Sequence, residues 1–216
     1  YPSGGSTYAT FAGYVDYRHD INPKSTLSLG ARHTITELDA TWSEQALIDA
    51  KLAKAYQKHQ SSNITLGYSY TSNSQWQLKT LFSTGFRAPN IDDLGKTREN
   101  RGILSVPNLE LSPEYIYSTD IGVRKQWNNG SFLGINGYYT FVNDYMARVS
   151  HHITYDFTTT DGDTVIFSEE EVQTTTNANV GTVDIYGFNA QSKWRISPKV
   201  SYQNSLTYTR GIGNNI

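Results

Sequence analysis

The sequence predicts an all-β fold: an antiparallel up-and-down meander of about eight long strands, read as part of a transmembrane β-barrel, with short turns at one end and long loops at the other. Three observations carry this. Segments of alternating apolar and polar residues recur along nearly the whole chain of 216 residues, which is the period-2 signature of strands with one apolar face. The connections between them alternate in length: short ones around Pro23, Asn73, Asn129 and Pro198, long ones around Ala46, Gly102 and Asp161. A soluble sandwich has no reason to sort its loop lengths to one side, whereas membrane barrels have short turns on one face and long loops on the other. Aromatic residues gather near both ends of the strands, as rings that favour the headgroup level would. Trp76 and Phe86 share a parity ten positions apart, which a tilted strand converts to roughly 23 Å of depth, close to an apolar band of about 25 Å.

Taken in order, the first strand runs from about Thr7 to Arg18, with Ala9, Phe11, Gly13, Val15 and Tyr17 on one parity. The stretch His19 to Lys24 reads as a tight turn, and Leu27, Leu29 and Ala31 lie on the return. Between about Glu37 and His59 the composition shifts to Ala, Leu, Lys and Gln, good helix formers, and a short helix capped by Ser43 is expected in a loop spanning 38–60. Alternation resumes at Ile64, Leu66, Tyr68 and Tyr70. After the turn Ser72 to Gln75, the strand from Trp76 to Arg87 places Leu78, Thr80, Phe82 and Thr84 with its end aromatics. Leu81 is its one apolar intruder on the polar side. Pro89 ends this strand, because it lacks an N–H for the ladder and forces Ala88 into an extended conformation.

A loop over 88–113 follows, and Pro113 precedes a strand bearing Tyr115, Tyr117, Thr119, Ile121, Val123 and Lys125 on one parity. Asn128-Asn129-Gly130 is a hairpin signal of the two-residue primed type, leading to Leu133, Ile135, Gly137, Tyr139 and Phe141. The longest excursion, 143–182, contains two arms, 146–157 and 164–174. They flank Thr160-Asp161-Gly162-Asp163 and read as a hairpin projecting from the main sheet. The last two strands, about Thr182 to Trp194 and Val200 to Arg210, are joined at Ile196 to Lys199, with Val200, Tyr202, Leu206 and Tyr208 alternating against Ser201, Gln203, Ser205 and Thr207. Phe11, Leu29, Leu66, Phe82, Ile121, Ile135 and Tyr202 are expected on one side of the sheet.

Two stretches here and a third further on resemble the β-barrel of TonB-dependent outer-membrane receptors: Gly85-Phe86-Arg87-Ala88-Pro89-Asn90 followed by Ile91-Asp92-Asp93-Leu94, Val106-Pro107-Asn108 through Leu111, Pro113, Glu114 and Tyr115, and Val180-Gly181 with Ile185-Tyr186-Gly187-Phe188-Asn189-Ala190. The chain departs from the family where Leu109, Glu110, Leu111, Ser112 replace the usual Leu-Lys spacing before Pro-Glu, and where Asn189 stands for a common acidic residue. The resemblance implies a partial barrel domain over 1–216 in the outer membrane of a Gram-negative bacterium, with 38–60, 88–113 and 143–182 as extracellular loops. It also implies active uptake of a scarce nutrient (siderophore, haem, cobalamin, glycan or peptide), with the lipid bilayer, a plug domain outside this chain and, through the plug, the TonB energy-coupling protein as partners. A passive porin or adhesin barrel and a soluble all-β binding module remain alternatives. The absence of an initial Met and of a signal peptide, and the polar stretch at the other end, read as an internal fragment. A barrel of this family closes with about 22 strands, so the first and last strands should meet each other, pair with another copy, or belong to a larger barrel.

Composition excludes several classes. The 16 Tyr, 8 Phe, 4 Trp and 17 Gly, without Cys, fit a β-rich chain without disulfides, and the net charge of −2 gives no nucleic-acid footprint. A mean hydropathy of −0.53 does not argue against a membrane barrel, since averaging along alternating strands hides the apolar band. No enzyme is expected: the five histidines, His19, His33, His59, His151 and His152, are scattered and there is no Cys nucleophile. No cofactor or metal is expected either. His151 and His152 point to opposite faces if in a strand, Asp161-Gly162-Asp163 lacks the later ligands of a calcium loop, and Glu169-Glu170-Glu171 reads as a solvated edge. Lumen-facing candidates are Asp16, Arg18, Arg32, Lys79, Arg87, Asp120, Arg124, Gln191 and Lys193, expected to neutralise one another across strands or meet a plug. The ligand-binding residues and the ligand are left open.

Overall fold

The computed structural model describes residues 4–41, 54–94, 98–150, 164–167 and 170–214. Eight long strands form one sheet: β1 (Ser6–Asn22), β2 (Ser25–Thr41), β3 (Lys54–Thr71), β4 (Trp76–Arg87), β7 (Glu114–Gln126), β8 (Phe132–Asn143), β12 (Thr182–Ser197) and β13 (Val200–Asn214). Their order in the sheet is their order in the chain, and every neighbouring pair is antiparallel. Between them lie a short helical turn α1 (Ile91–Leu94) and five short strands, β5 (Arg98–Asn100), β6 (Ile103–Ser105), β9 (Met146–Ser150), β10 (Thr164–Phe167) and β11 (Glu170–Asn179). The short strands form a second sheet, in which β11 pairs antiparallel with β9 and β10 but parallel with β6.

The register fixes the two faces of the main sheet, because residues directly opposite share a face. Leu29 opposes Tyr17 and Leu66, Leu66 opposes Phe82, and Thr80, one step along that face, opposes Ile121. Val123 opposes Ile135, Ile135 opposes Ala190, and Ala190 opposes Leu206, four positions from Tyr202 and on the same parity. With Phe11 in phase with Tyr17, all seven expected residues share one apolar face. That face is bare in the isolated chain: Phe11 is 66 %, Ile121 53 % and Leu206 61 % exposed. No helix among the described residues is long and apolar enough to cross a membrane, which says nothing about crossing by strands.

The four short turns lie side by side at one end. Thr71 N–H donates to the Lys24 carbonyl across neighbouring turns, Gln75 Nε2 to Asn128 Oδ1 at 2.5 Å, and Arg195 N–H to Ser131 Oγ at 2.9 Å. On the apolar face this end carries an aromatic belt. Trp127 and Trp194 pack with ring centroids 5.3 Å apart, and Lys125 lays its ammonium 5.6 Å over Trp76 while donating to the Ser74 carbonyl, a long cation bending toward the polar boundary. Toward the loop end the same face carries the pairs Phe86–Tyr115, Tyr117–Phe141 and Phe188–Tyr208, all at about 6 Å.

Four local expectations need correction. Residues 54–59, expected to be helical, are strand: Ala55, Gln57 and His59 face one way and Lys54, Tyr56 and Lys58 the other, paired to β2 from Thr41↔Lys54 onward. Tertiary pairing overrides their helix propensity. The strands therefore run well into the 38–60 segment, and 42–53, with Ser43, lies outside the described residues. The Asn-Asn-Gly turn is not of the two-residue primed type, because only Gly130 has a positive φ (83°) and Asn129 does not. Gly130 N–H bonds to the Trp127 carbonyl and Trp127 N–H to the Ser131 carbonyl, a three-residue loop with Gly at its left-handed position. The turn before β4 copies it with Gln75 (φ 61°) in that place. The arm 164–174 is not one strand: β10 and β11 fold back on each other, Phe167 opposite Glu170, and it is the continuation of β11 that meets β9. Finally, the first turn is narrower than His19 to Lys24, since β1 extends to Asn22 and only Pro23 and Lys24 turn. His151, His152 and Asp161-Gly162-Asp163 lie outside the described residues.

β1 and β13 do not pair with each other, so the sheet is open. Each edge strand is exposed along nearly its whole length.

Candidate functional site

All nine charged or amide residues expected on the lumen side lie on the polar face, as the register requires. Their neutralisation is uneven. Arg18 lies 3.7 Å from Asp20, and Arg87 forms a double hydrogen bond with Asp93 (2.8 and 2.8 Å) and approaches Glu114 at 3.3 Å. Asp120 accepts from Asn136 Nδ2 at 3.3 Å. Lys79, Arg124 and Lys193 have no ion pair among the described residues. Arg124 instead stacks 4.1 Å over Phe132. Beside it runs a groove of about 240 Å³, lined by Gln77, Lys79, Arg124, Phe132, Asn136 and Gln191. A second, of about 480 Å³, lies nearer the loops against Tyr8, Arg32, Thr34, Asn63, Arg87 and Asn90.

The polar face is smoothed by a repeated pairing of large with small. Gly30, Gly67, Gly85, Gly122, Gly134 and Gly187 each stand directly opposite a side chain that fills the space above them: Asp16, Leu81, Ile116, Asn136, Arg124 and Tyr138. Small and large residues alternating across inward-facing positions is how barrel interiors are packed. At Gly187 the fit is tightest. Tyr138 lies across it to hydrogen-bond Thr209 on the next strand, and its Oη would be 2.7 Å from a Cβ.

At the loop end the polar face is covered. Its parity turns apolar there, Thr34 and Thr36 giving way to Leu38 and Ala40, and these pack with Ala55, Leu94, Leu111 and Met146, flanked by Ile91 and Leu109. Leu38 is 2 % and Leu94 0 % exposed. The cover is the 88–113 segment, and its family-like motifs hold it in shape. Asn90 caps α1, its Oδ1 accepting from Asp92 N–H (2.8 Å) and Asp93 N–H (3.0 Å), while Asp93 Oδ2 accepts from Asn90 N–H (3.0 Å), a reciprocal capping box. The same Asp93 holds Arg87 at the end of β4. Glu114, 5 % exposed, accepts from Met146 N–H at 2.6 Å and so ties the start of β7 to the next loop. Gln57 Nε2, on the polar face of β3, donates to the Leu109 carbonyl at 2.7 Å.

A set of asparagines then clasps 88–113 to the 143–182 excursion. Asn108 Nδ2 donates to the Asn177 carbonyl (2.9 Å) and Asn177 Nδ2 to the Asp93 carbonyl (3.0 Å). Asn179 Oδ1 accepts from Ser112 N–H (2.8 Å), and its Nδ2 donates to the carbonyls of Ser112 (2.9 Å) and Asp144 (2.7 Å). Thr176 Oγ1 donates to the Val106 carbonyl at 3.0 Å, and Val106 N–H to the Thr175 carbonyl at 2.8 Å. Gln57, Asn177 and Asn179 were not singled out by the sequence; Asn108 was, within its motif, but as a mark of family and not as a clasp. Thr175 Oγ1 is buried with no hydrogen-bond partner among the described residues. A buried hydroxyl left unmatched costs more than an apolar group of the same shape, so Thr175→Val should raise resistance to denaturant by about 1 kcal/mol; a loss of stability in a denaturant titration would show that the hydroxyl is satisfied.

Among the described residues no group of three or more His, Asp or Glu side chains could hold a metal ion, and His19, His33 and His59 sit apart on β1, β2 and β3. His33 hydrogen-bonds Ser62 at 2.9 Å and His59 hydrogen-bonds Gln57 at 3.0 Å.

The family model described as TonB dependent receptor-like, beta-barrel, matches residues 1–215. Solved structures agree in fold. The copper transporter OprC superposes with a TM-score of 0.74 at 16 % identity, over 96 % of this chain and 29 % of its own. The hemophore receptor HasR of Serratia marcescens, in complex with its hemophore HasA and heme, gives 0.71 at 14 % identity, over 96 % and 34 %. The ferric yersiniabactin uptake receptor FyuA of Yersinia pestis gives 0.62 at 16 % identity, over 97 % and 28 %. The chain thus spans about a third or less of the length of each. No curated protein matches it. The matched family model, over an antiparallel meander whose motifs build its loop-end cover, shows that the chain belongs to the TonB-dependent receptor β-barrel family, whose members lie in the outer membrane of Gram-negative bacteria.

Proposed function

We propose that the chain is one sector of the wall of an active outer-membrane importer: the apolar face meets lipid, the polar face lines the lumen, and the segments within 38–60, 88–113 and 143–182 stand on the extracellular side. The observation that carries this is the continuous apolar face, flanked by aromatic belts and bare in the isolated chain. In water such a face would be an aggregation surface; in a bilayer it is the required surface. The two open edges support a larger barrel, because unpaired strand edges are not tolerated in hydrocarbon. Further strands would close the sheet, a plug domain outside this chain would fill it, and the TonB protein would supply energy through that plug. Self-association through β1 and β13 is the other way to cover the edges.

The cargo is a scarce nutrient. The similar structures are described with copper, heme and ferric yersiniabactin, three chemically different cargoes on one wall architecture, so selection would rest with loops and plug more than with the sheet. Importers of this kind work against a gradient, and a passive pore does not. Cells bearing the receptor should therefore accumulate one of a panel of labelled cargoes (ferric siderophores, haem, cobalamin, glycans and peptides), and lose that accumulation when a protonophore collapses the proton gradient. Entry that survives the protonophore would favour the passive barrel, and recovery of the protein from cells without detergent would favour the soluble module.

A further inference from the structure

We infer that the turn end of the wall binds the phosphate headgroups of anionic phospholipids, through Lys125 and the turn lysines Lys24 and Lys199, with Trp76, Trp127 and Trp194 seating the lipid. The inference rests on the reading of the apolar face as lipid-facing and adds which lipid that face selects. It starts from how charge is sorted along the strands. Residues 18–29, 67–80, 122–136 and 193–204 hold the four short turns and about five residues on either side of each. They carry eight of the chain's 18 Lys and Arg, but of its 20 Asp and Glu only Asp20. That one carboxylate is already engaged, by Arg18 at 3.7 Å and by Thr26 Oγ1 at 2.7 Å. Three of the four tryptophans of the chain lie in the same segments.

The register sorts these cations further. Arg18, Lys79, Arg124, Lys193 and Arg195 lie on the polar face, Lys125 lies on the apolar face, and Lys24 and Lys199 stand exposed in the first and last turns. Toward the loop end of the apolar face lysines come with carboxylates, Lys58 with Glu37 at 2.6 Å and Lys54 with Asp39 at 3.8 Å. Lys24, Lys125 and Lys199 have no ion pair among the described residues. The Trp76 ring and the Ser74 carbonyl fix the Lys125 ammonium at the depth of the turns. An ammonium has three donors, so two are left for a ligand there. The Trp127–Trp194 pair marks the same level, where indole rings favour the headgroups. A phosphodiester offers this end a negative charge and acceptor oxygens. A zwitterionic lipid brings a cation of its own, which the excess positive charge repels, so the selection is for lipids of net negative charge.

Electron spin resonance of spin-labelled lipids, with the full receptor in phosphatidylcholine vesicles, separates lipid in contact with the protein from free bilayer. Labelled phosphatidylglycerol should enter the contact layer in preference to labelled phosphatidylcholine. Lys24→Gln, Lys125→Gln and Lys199→Gln together should lower that preference about fivefold, and Lys125→Gln alone should account for part of the fall. Lys193→Gln, at the same end but on the polar face, should leave it unchanged. A contact layer of undiminished size shows that each variant is inserted. An unchanged preference in the triple variant, or an equal fall with Lys193→Gln, would overturn the inference, while the contact layer itself would still uphold the lipid-facing reading. Absence of any contact layer would remove both. Inorganic phosphate should displace labelled phosphatidylglycerol no better than chloride at equal ionic strength; stronger displacement would make this a site for the free ion and overturn the lipid assignment.

Discussion

Ile121→Arg should destabilise the protein in lipid by about 3 kcal/mol, while Ser83→Arg, one strand away on the other face, should change stability by less than about 1 kcal/mol. Ile121 lies halfway between the belt at Trp76 and the aromatic pair at Phe86 and Tyr115, opposite Thr80 and Gly137, and is 53 % exposed in the isolated chain. In a bilayer that position is near the midplane, where a guanidinium has no water and is too far from either headgroup layer to reach it easily. Ser83 points to the polar face, where an added cation meets water and amides. Chemical denaturation of the protein in vesicles measures both. Equal effects would mean that the apolar face is covered by protein, as in a soluble module, and not by lipid.

Gly187→Ala should cost about 3 kcal/mol, an unusual loss for one methyl group. A Cβ there would overlap the Tyr208 carbonyl oxygen and lie 2.7 Å from Tyr138 Oη. The tyrosine could swing away at the expense of its bond to Thr209, but the carbonyl belongs to the ladder between β12 and β13, in which Gly187 opposes Thr209. The two obstacles can be told apart. Removing the ring with Tyr138→Leu should relieve only part of the penalty in the double variant, because the backbone clash stays. Full relief would place the whole effect on the tyrosine, and no effect of Gly187→Ala alone would show that the two strands separate more easily than their pairing suggests.

What could be read from the residues, and what could not, follows from where each part finds its free energy. The faces of the eight long strands were legible because one solvent meets each face, and a slip of one residue would put every Leu and Phe on the wrong side. Turn position was legible from Pro23, Asn73, Asn129 and Pro198, yet turn geometry was not, since Asn129 is compatible with either sign of φ and the flanking strands decide. Residues 54–59 misled because Ala, Lys and Gln favour a helix in isolation, whereas β2 offers a ladder. The small sheet was least legible. β6 and β11 have no apolar alternation to betray them, and Thr174 and Thr176 are buried by contacts from another loop. The resemblance motifs marked the right segments without revealing their work: Asn90, Asp93, Asn108 and Glu114 shape a cover, and Arg87 anchors it. The ionic wall was only half anticipated, since Arg87 is matched twice while Lys79, Arg124 and Lys193, on the polar face, have no ion pair among the described residues.

The parallel pairing of β6 with β11 also orders the assembly of the molecule in time. Every pairing in the main sheet joins long strands that follow one another in the chain, four of them, β1–β2, β3–β4, β7–β8 and β12–β13, across short turns, so these hairpins can form by local zippering. The clasp joins residues about 70 positions apart, Thr176 to Val106 and Asn177 to Asn108, and its closure entropy falls steeply once β7 and β8 have brought the two roots together. Wall first, cover last is therefore the route with the lower entropic cost.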